Sequence, residues 1–415
     1  MLVFNLLIFS LIYLSKYEGI INPPGAEFVV KSIEKAEKEE ADIYILQLDT
    51  PGGLDESMRI IIKKIFDSKI PVCVYVFPPG ARAASAGAFI TIAAHIAAMS
   101  PGTNIGAAHP VSIQGQMDSI MIKKVVNDAV SYIKSIGSKR NRNIEILENM
   151  VKKSLSITAE EALNKKVIDI VAESIDSLLK KIEGFEVEIG GLKKKIELKD
   201  KEIKKVDMGL RERILMIISN PTVAYILLIL GFYGLFFEIT HPGAIFPGVI
   251  GAICLILAFY SFQTLPVNYA GVLLILLSMI LFLLEIKVQS HGILGAGGVL
   301  SLLLGSLLLF QTDIPFLKIS KFAIITVIIT TILFFFFVIL KAVQAQRKKT
   351  VTGKEGMIGE KGKAKSNITK GKEGLVFIHG EIWKAIAEED ILKDEEIVVV
   401  GFDGLKLIVR PLKKE

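Results

Sequence analysis

The stretch ARAASAGAFI, Ala81–Ile90, sets one serine among small residues, directly after the apolar run VCVYVF (72–77) and the turn PPG (78–80). Small residues following a strand-like run read as a tight strand-to-helix turn. Ser85 is then either one more small residue in that turn or a nucleophile mounted on it. The neighbouring sequence supplies the frame. IYILQLDT (43–50) is a second short apolar run bounded by turn residues, and LDESMRIIIKKIFDSK (54–69) between the two has helical spacing. Further on, ITAEEALNKKVIDIVAES (157–174) reads as N-cap, helix and strand, with Thr158 and Glu161 spaced as a capping box. Alternating strand and helix over residues 1–208 predicts an α/β domain with right-handed crossovers and a mostly parallel core.

The whole chain cannot be of this kind. Of its 415 residues 51% are hydrophobic and 22% charged, and the mean hydropathy is +0.52. Soluble domains joined to a membrane block fit that balance. Lysines and acids are interleaved, as in KKIELKDKEIKK, and the net charge is only +6. This is a solvated surface and not a nucleic-acid footprint. The two cysteines, Cys73 in a strand-like run and Cys254 in an apolar run, form no zinc site and say nothing about redox compartment. The N-terminus, MLVFNLLIFSLIYLSKYEG, reads both as a secretory apolar region without a basic start and as a first strand in its second half.

Residues 213–341 form the membrane block, with five candidate spans at 214–237, 244–262, 267–285, 292–310 and 320–341. An internal repeat runs through it: residues 227–262 resemble residues 273–310, so two helix hairpins are duplicated in one orientation. Glu238 corresponds to Glu285 and His241 to His291. These are interfacial anchors or a polar pair between the hairpins. Gly243, Gly248 and Gly251 match Gly295, Gly297 and Gly298 loosely, and suit close helix packing. The basic segment KAVQAQRKK after the last span is expected in the cytoplasm, which puts the N-terminal domain outside. Residues 348–415 alternate apolar and polar residues between glycine turns, and about five short strands fit a closed barrel of the OB type. Few exposed aromatics make this a protein-interaction module rather than a nucleic-acid binder.

Energy-driven and metal chemistry are disfavoured. GMIGEKGKAK (356–365) lacks phosphate-loop spacing, with Ala364 where Ser or Thr is required, and there is no HExxH among five histidines. No cofactor is expected. Acyl transfer fits better. In LDTPGG (48–53) the side-chain-free Gly52 and Gly53 let backbone N–H groups approach a carbonyl, and Ser85 opens an apolar helix whose N-terminus favours an oxyanion. A glycine N–H and that of Ala86 together make an oxyanion hole. The base stays open at this level. His95, ten residues along the same expected helix, would lie about 15 Å away. His109 lies beyond a strand and folds back only if the loop allows. Lys123 and Lys124 open the helix VVNDAVSYIKSIG, and Lys124 serves as base only at or before its first turn, since further in it faces away from the stripe Ile122, Val126, Ala129 and Ile133.

LDTPGG, ASAGAFI, PGTNIGAAHP, KVVNDAVSYIKSI and ITAEEALNKKVIDIVA, in this order, resemble the NfeD family of membrane-bound serine proteases, relatives of the Clp-protease and crotonase-like fold. GEIWKAIAEEDILKDEEIVVVGFDGLKLIV (380–409) looks like that family's C-terminal OB-fold domain. The resemblance implies three parts: protease 1–208, membrane block 213–341, OB domain 348–415. It implies a Ser–Lys dyad, with Ser85 as nucleophile, Lys124 as base, and Gly53 and Ala86 as oxyanion donors. It implies ATP-independent cleavage of apolar segments of a stomatin-like membrane protein. His109 falls where Clp-type relatives carry a catalytic histidine, so a Ser–His pair is the rival. A homo-oligomer through the protease domain, dimer or larger, is expected. The alternatives are a non-catalytic scaffold for a stomatin-like partner and a transporter built on the hairpin repeat.

Overall fold

Two apolar layers sandwich a parallel sheet in the N-terminal part of the chain. The computed structural model describes residues 10–111, 119–241, 243, 245–288, 290, 292–310, 312, 317–347 and 354–412. In chain order the first part contains β1 (Leu11–Glu18), α1 (Pro23–Lys38), β2 (Ile43–Asp49), α2 (Asp55–Phe66), β3 (Val72–Val76), β4 (Arg82–Ala84), α3 (Ala86–Ala93), β5 (Ile96–Met99) and β6 (Asn104–Gly106). It continues with α4 (Ser119–Lys139), α5 (Ile144–Lys152), β7 (Ser156–Thr158), α6 (Ala159–Asn164), β8 (Ile170–Val171), α7 (Ile175–Ile182), β9 (Glu186–Ile189), β10 (Leu192–Lys195) and β11 (Glu202–Val206). The main sheet runs β11-β1-β2-β3-β5-β8, and every neighbouring pair is parallel, as the alternating pattern predicts.

Side chains alternate across that sheet. Tyr44, Leu46, Leu48, Val72, Val74 and Val76 face a core filled by α1, α2 and α3. Ile43, Ile45, Cys73 and Tyr75 face the other side, against Leu178, Leu179 and Ile182 of α7. Burial on both faces explains why these strands read as unbroken apolar runs. The capping box forms as expected: Thr158 Oγ1 accepts the Glu161 N–H, and the Glu161 carboxylate accepts the Thr158 N–H. The second half of the ambiguous N-terminal segment is a strand, β1.

The amphipathic α8 (Leu210–Ile218) leads into the apolar helices α9 (Pro221–Thr240), α10 (Ile245–Phe262), α11 (Tyr269–Lys287), α12 (Ile293–Leu308) and α13 (Lys321–Arg347). Among the described residues α9, α10 and α11 are long and apolar enough to cross a membrane. The expected first span, 214–237, is corrected by the break at Ser219–Asn220. Asn220 caps α9 by accepting the Thr222 and Val223 N–H groups, and Pro221 occupies its first turn, so the membrane helix starts at Pro221 and residues 214–218 belong to α8. The fourth expected span, 292–310, shortens to the 16 residues of α12, about 24 Å of helix against a hydrocarbon core of about 30 Å.

The repeat becomes sharper in three dimensions. α9 packs on α10 through glycines: a Cβ on Gly234 would lie 2.6 Å from the Gly251 Cα, and one on Gly231 would lie 2.5 Å from the Leu255 side chain. Glu238 lies against Gly248, and Glu285 against Gly295, each ten residues downstream. The loose glycine match therefore resolves into Gly248 with Gly295. The two acids differ in their bonding. Glu285 accepts the Gly292 and Gly295 N–H groups at 2.9 and 2.8 Å, and also bonds the Ser290 hydroxyl, so it caps α12. Glu238 Oε2 is buried with no hydrogen-bond partner among the described residues. His241 ends α9, and His291 lies outside the described residues.

The chain divides into two compact units, Met1–Ile332 and Leu333–Glu415. In the second, α14 (Lys354–Met357) precedes β12 (Lys361–Ala364), β13 (Glu373–Ile378), β14 (Glu381–Ala387), β15 (Glu396–Asp403) and β16 (Lys406–Pro411). They close into a barrel in the order β12-β13-β14-β16-β15, around Val376, Ile378, Ala385, Ile397, Val399, Leu407 and Val409. The five strands expected of an OB-type barrel are present.

Candidate active site

Ser85 stands where β4 ends and α3 begins, with no loop between them. Both sides of this junction are pinned by backbone bonds. The Ala84 N–H donates to the Thr50 carbonyl at 3.1 Å, and the Ser85 N–H donates to the Gly106 carbonyl at 2.9 Å. The tethers hold Ser85 at φ 51°, ψ −116°, a conformation that side-chain-bearing residues rarely adopt. Holding it there costs about 1–3 kcal/mol. Every residue of α3, Ala86–Ala93, is buried, so the helix that carries Ser85 is locked into the core. The Ser85 hydroxyl is half-buried and does not cap its own helix.

The glycine turn is seated directly against it. A Cβ on Gly52 would lie 2.7 Å from the Ser85 Cβ and 3.2 Å from its Oγ, and Gly52 has φ +121°. The Gly52 N–H is already engaged, donating to Thr50 Oγ1 at 3.0 Å. The N–H groups of Gly53 and Ala86 have no hydrogen-bond acceptor among the described residues. These are the two donors expected of an oxyanion hole. Sequence reasoning missed Thr50. It is fully buried, its hydroxyl folds the PGG turn, and its methyl packs under the first turn of α3 at Gly87. A threonine two residues before a glycine, whose hydroxyl can mimic a backbone turn, was the available signal.

The three candidate bases end up in different places. His95 is not on the Ser85 helix, because α3 ends at Ala93. Its buried Nδ1 accepts the Val72 N–H at 3.3 Å, and burial, followed by the charges of Arg140 and Lys139, pushes its pKa down to about 3. It holds a strand in place. His109 donates from Nδ1 to the Val151 carbonyl at 2.8 Å, near the C-terminal end of α5, which leaves Nε2 as its acceptor nitrogen. Lys124 is exposed in the second turn of α4, whereas the sequence reading required it at or before the first. Neither His109 nor Lys124 is hydrogen-bonded to Ser85. Residues 112–118 lie outside the described residues. Among the described residues no group of three His, Cys, Asp or Glu side chains could hold a metal.

Three family descriptions match in sequence: "NfeD1b, N-terminal domain" over residues 18–206, "NfeD integral membrane domain" over 222–340, and "NfeD-like C-terminal, partner-binding domain" over 354–411. The membrane-bound protease PH1510 of Pyrococcus horikoshii is 36% identical over 98% of this chain and 94% of its own length. The chain belongs to the NfeD family. Membrane protein NfeD1b of Bacillus subtilis is a more distant relative, 27% identical over 97% of this chain and 93% of its own. Two solved structures of the 1510-N membrane-bound stomatin-specific protease are similar to the N-terminal half. A lysine-to-alanine variant in complex with a substrate peptide is 34% identical, with a TM-score of 0.48, over 50% of this chain and 97% of that one. A serine-to-alanine variant is 37% identical, with a TM-score of 0.46, over 49% and 100%. Sequence identity, not superposition, carries these relationships. The NfeD chain is a membrane protein with an N-terminal α/β domain, apolar helices and a C-terminal β-barrel.

Proposed function

We propose that this NfeD chain is an ATP-independent serine endopeptidase held at the membrane, cleaving apolar segments of a stomatin-like membrane protein. Ser85 attacks the scissile carbonyl, Lys124 takes its proton and returns it to the leaving amine, and the Gly53 and Ala86 N–H groups hold the oxyanion. The observation that carries this reading is the strained Ser85 at the start of α3, with Gly52 in contact and the Gly53 and Ala86 N–H groups without acceptors among the described residues. A backbone outlier of this type, kept by tethers on both sides, is what a nucleophile elbow requires. The relatives' names support the substrate class. In this reading residues 1–208 are the protease, 213–341 the membrane block and 348–415 the OB domain. The protease faces outward and the barrel the cytoplasm.

The exposure of Lys124 bears on the oligomer. Ile120, Met121 and Val125 flank it on the first turns of α4, and all three are exposed. A second copy covering this face would bury the apolar side chains and take Lys124 out of water, which disfavours the ammonium form and makes the lysine a base. A homo-oligomer through the protease domain is therefore part of the proposal.

A specific observation also favours a second reading, the non-catalytic scaffold: among the described residues no base is hydrogen-bonded to Ser85. One experiment separates the two. The purified full chain is incubated with an apolar peptide from the C-terminus of a stomatin-like protein, wild type against Ser85→Ala, Lys124→Ala and His109→Ala. The dyad requires cleavage by wild type and the His109 variant and none by the other two. Activity retained in Lys124→Ala and lost in His109→Ala replaces the lysine by the histidine. No cleavage by wild type under any oligomer-promoting condition leaves the scaffold.

A further inference from the structure

The barrel's outer face carries an apolar patch with a lysine rim. On β13 the side chains alternate: Val376 and Ile378 fill the barrel, while Leu375 and Phe377 point outward and are 42% and 40% exposed. Across the ladder Phe377 pairs with Ile382, itself 63% exposed, and Leu375 pairs with Lys384. On the other flank Phe377 pairs with Lys363 of β12. Lys365 lies over the Phe377 ring, with its Nζ 5.5 Å from the centroid. Three aliphatic or aromatic side chains thus form one outward cluster with lysines on both sides. Lys384 shares Glu373 with Lys406, while Lys363 and Lys365 have no ion pair among the described residues.

We propose that this patch, Leu375, Phe377 and Ile382 rimmed by Lys363, Lys365 and Lys384, docks an acidic amphipathic helix of the chain's protein partner. Two features select that occupant. The barrel is closed, so its strands offer no unpaired edge to an added strand, and recognition falls to the side chains of a face. Leu375 and Phe377, alternate residues of one strand, stand ~6.8 Å apart along it. An apolar stripe at i and i+4 of a helix has a rise of ~6 Å and meets them in step. Carboxylates flanking that stripe would then face Lys363 and Lys365, which have no ion pair among the described residues. A nucleic acid is the weaker fit, since Leu375 and Ile382 offer a base nothing to stack on. The proposal rests on the reading that this domain engages a protein partner, as its family description says, and does not depend on peptidase activity.

The test uses the full chain in nanodiscs of zwitterionic lipid, with fluorescence anisotropy of a labelled 18-residue helical peptide bearing a leucine stripe flanked by glutamates. A matched peptide with lysines in place of the glutamates is the control, and empty nanodiscs give the background. The acidic peptide should bind at least about tenfold more tightly than the basic one, and should weaken as salt is raised. Phe377→Glu and Ile382→Glu should each weaken it about tenfold or more, while Leu405→Glu, exposed outside the patch, leaves it unchanged. Equal binding of the two peptides, or binding indifferent to both patch variants, overturns the proposal. So does Phe377-dependent binding of an oligo-dT strand or of phosphatidylglycerol vesicles in place of the acidic peptide. Cleavage of a short apolar peptide is measured in parallel. Its absence in wild type under every oligomer-promoting condition sinks the peptidase reading and leaves the docking result standing.

Discussion

Gly52 and Ser85 are so close that a single added carbon at Gly52 would sit 2.7 Å from the Ser85 Cβ. That carbon is next to backbone and cannot swing away, and Gly52 also holds φ +121°, where side chains are strained. Gly52→Ala should therefore lower peptide cleavage by at least about tenfold and cost about 1–3 kcal/mol of stability. Cleavage rates and thermal unfolding of the same preparation check both. Full activity in this variant would mean that the glycine turn is not part of the site.

The strain at Ser85 makes a second expectation. Glycine tolerates φ 51° more readily than any side-chain-bearing residue. Ser85→Gly should be more stable than Ser85→Ala by up to about 1 kcal/mol, although on the proposed reading both lose activity. Denaturation midpoints of the two variants give the comparison, and a more stable alanine variant would show that the backbone at this junction is relaxed.

His95 should make the fold acid-sensitive. Burial holds its folded-state pKa at about 3, below the ~6.5 of an unfolded histidine. A depressed pKa contributes stability in full above ~6.5, and that stability is lost as pH falls from there towards about 3. Protonation also displaces the Val72 N–H from Nδ1. The expected slope is about 1.4 kcal/mol per pH unit across the middle of that window. Unfolding of wild type and His95→Gln from pH 7.5 to pH 4.5 should show a flatter dependence in the variant.

Asp169 neutralises a buried cation. The Arg142 guanidinium donates to Asp169 Oδ2 at 2.8 Å and to the carbonyls of Ile92, Val167 and Ala94, and the same carboxylate oxygen accepts the Ala97 N–H at 2.8 Å. Asp169→Ala strands the Arg142 charge and should cost about 3 kcal/mol, while Asp169→Asn keeps an acceptor and costs less. Chemical denaturation ranks the two, and equal losses would count against the charge argument.

In the membrane block, Glu285→Ala removes two backbone bonds and the Ser290 contact from the start of α12. Its repeat mate Glu238 has a carboxylate oxygen with no partner among the described residues. Thermal stability in lipid should fall more for Glu285→Ala than for Glu238→Ala. The reverse order would contradict the asymmetry between the hairpins.

The sheet was legible because its strands are buried on both faces, which leaves unbroken apolar runs such as VCVYV in the sequence. The capping box at Thr158 and the barrel's alternation were legible because their signals are local. Helix ends were less so. Asn220–Pro221 interrupts a continuously apolar stretch, and capping rather than hydropathy decides where α9 begins. At the site, glycines and a serine announced a turn, and Thr50 two residues before Gly52 carried a local signal for the bond to the Gly52 N–H; that the Gly53 N–H has no acceptor among the described residues was not legible, because a third segment, β4, pins the turn. The base was least legible. On the proposed reading it depends on a second copy covering the start of α4, a property of what packs against that helix rather than of its own residues.

The complete burial of α3 has a consequence for control. With no solvent-facing side, the helix cannot advance or withdraw Ser85 without opening the core around it, and that costs a large share of the domain's stability. On the proposed reading the nucleophile is permanently armed, and latency resides in the other half of the pair. A newly made, solitary chain, with Lys124 still in water, is a harmless precursor. On that reading, encounter with a second copy is the activating event.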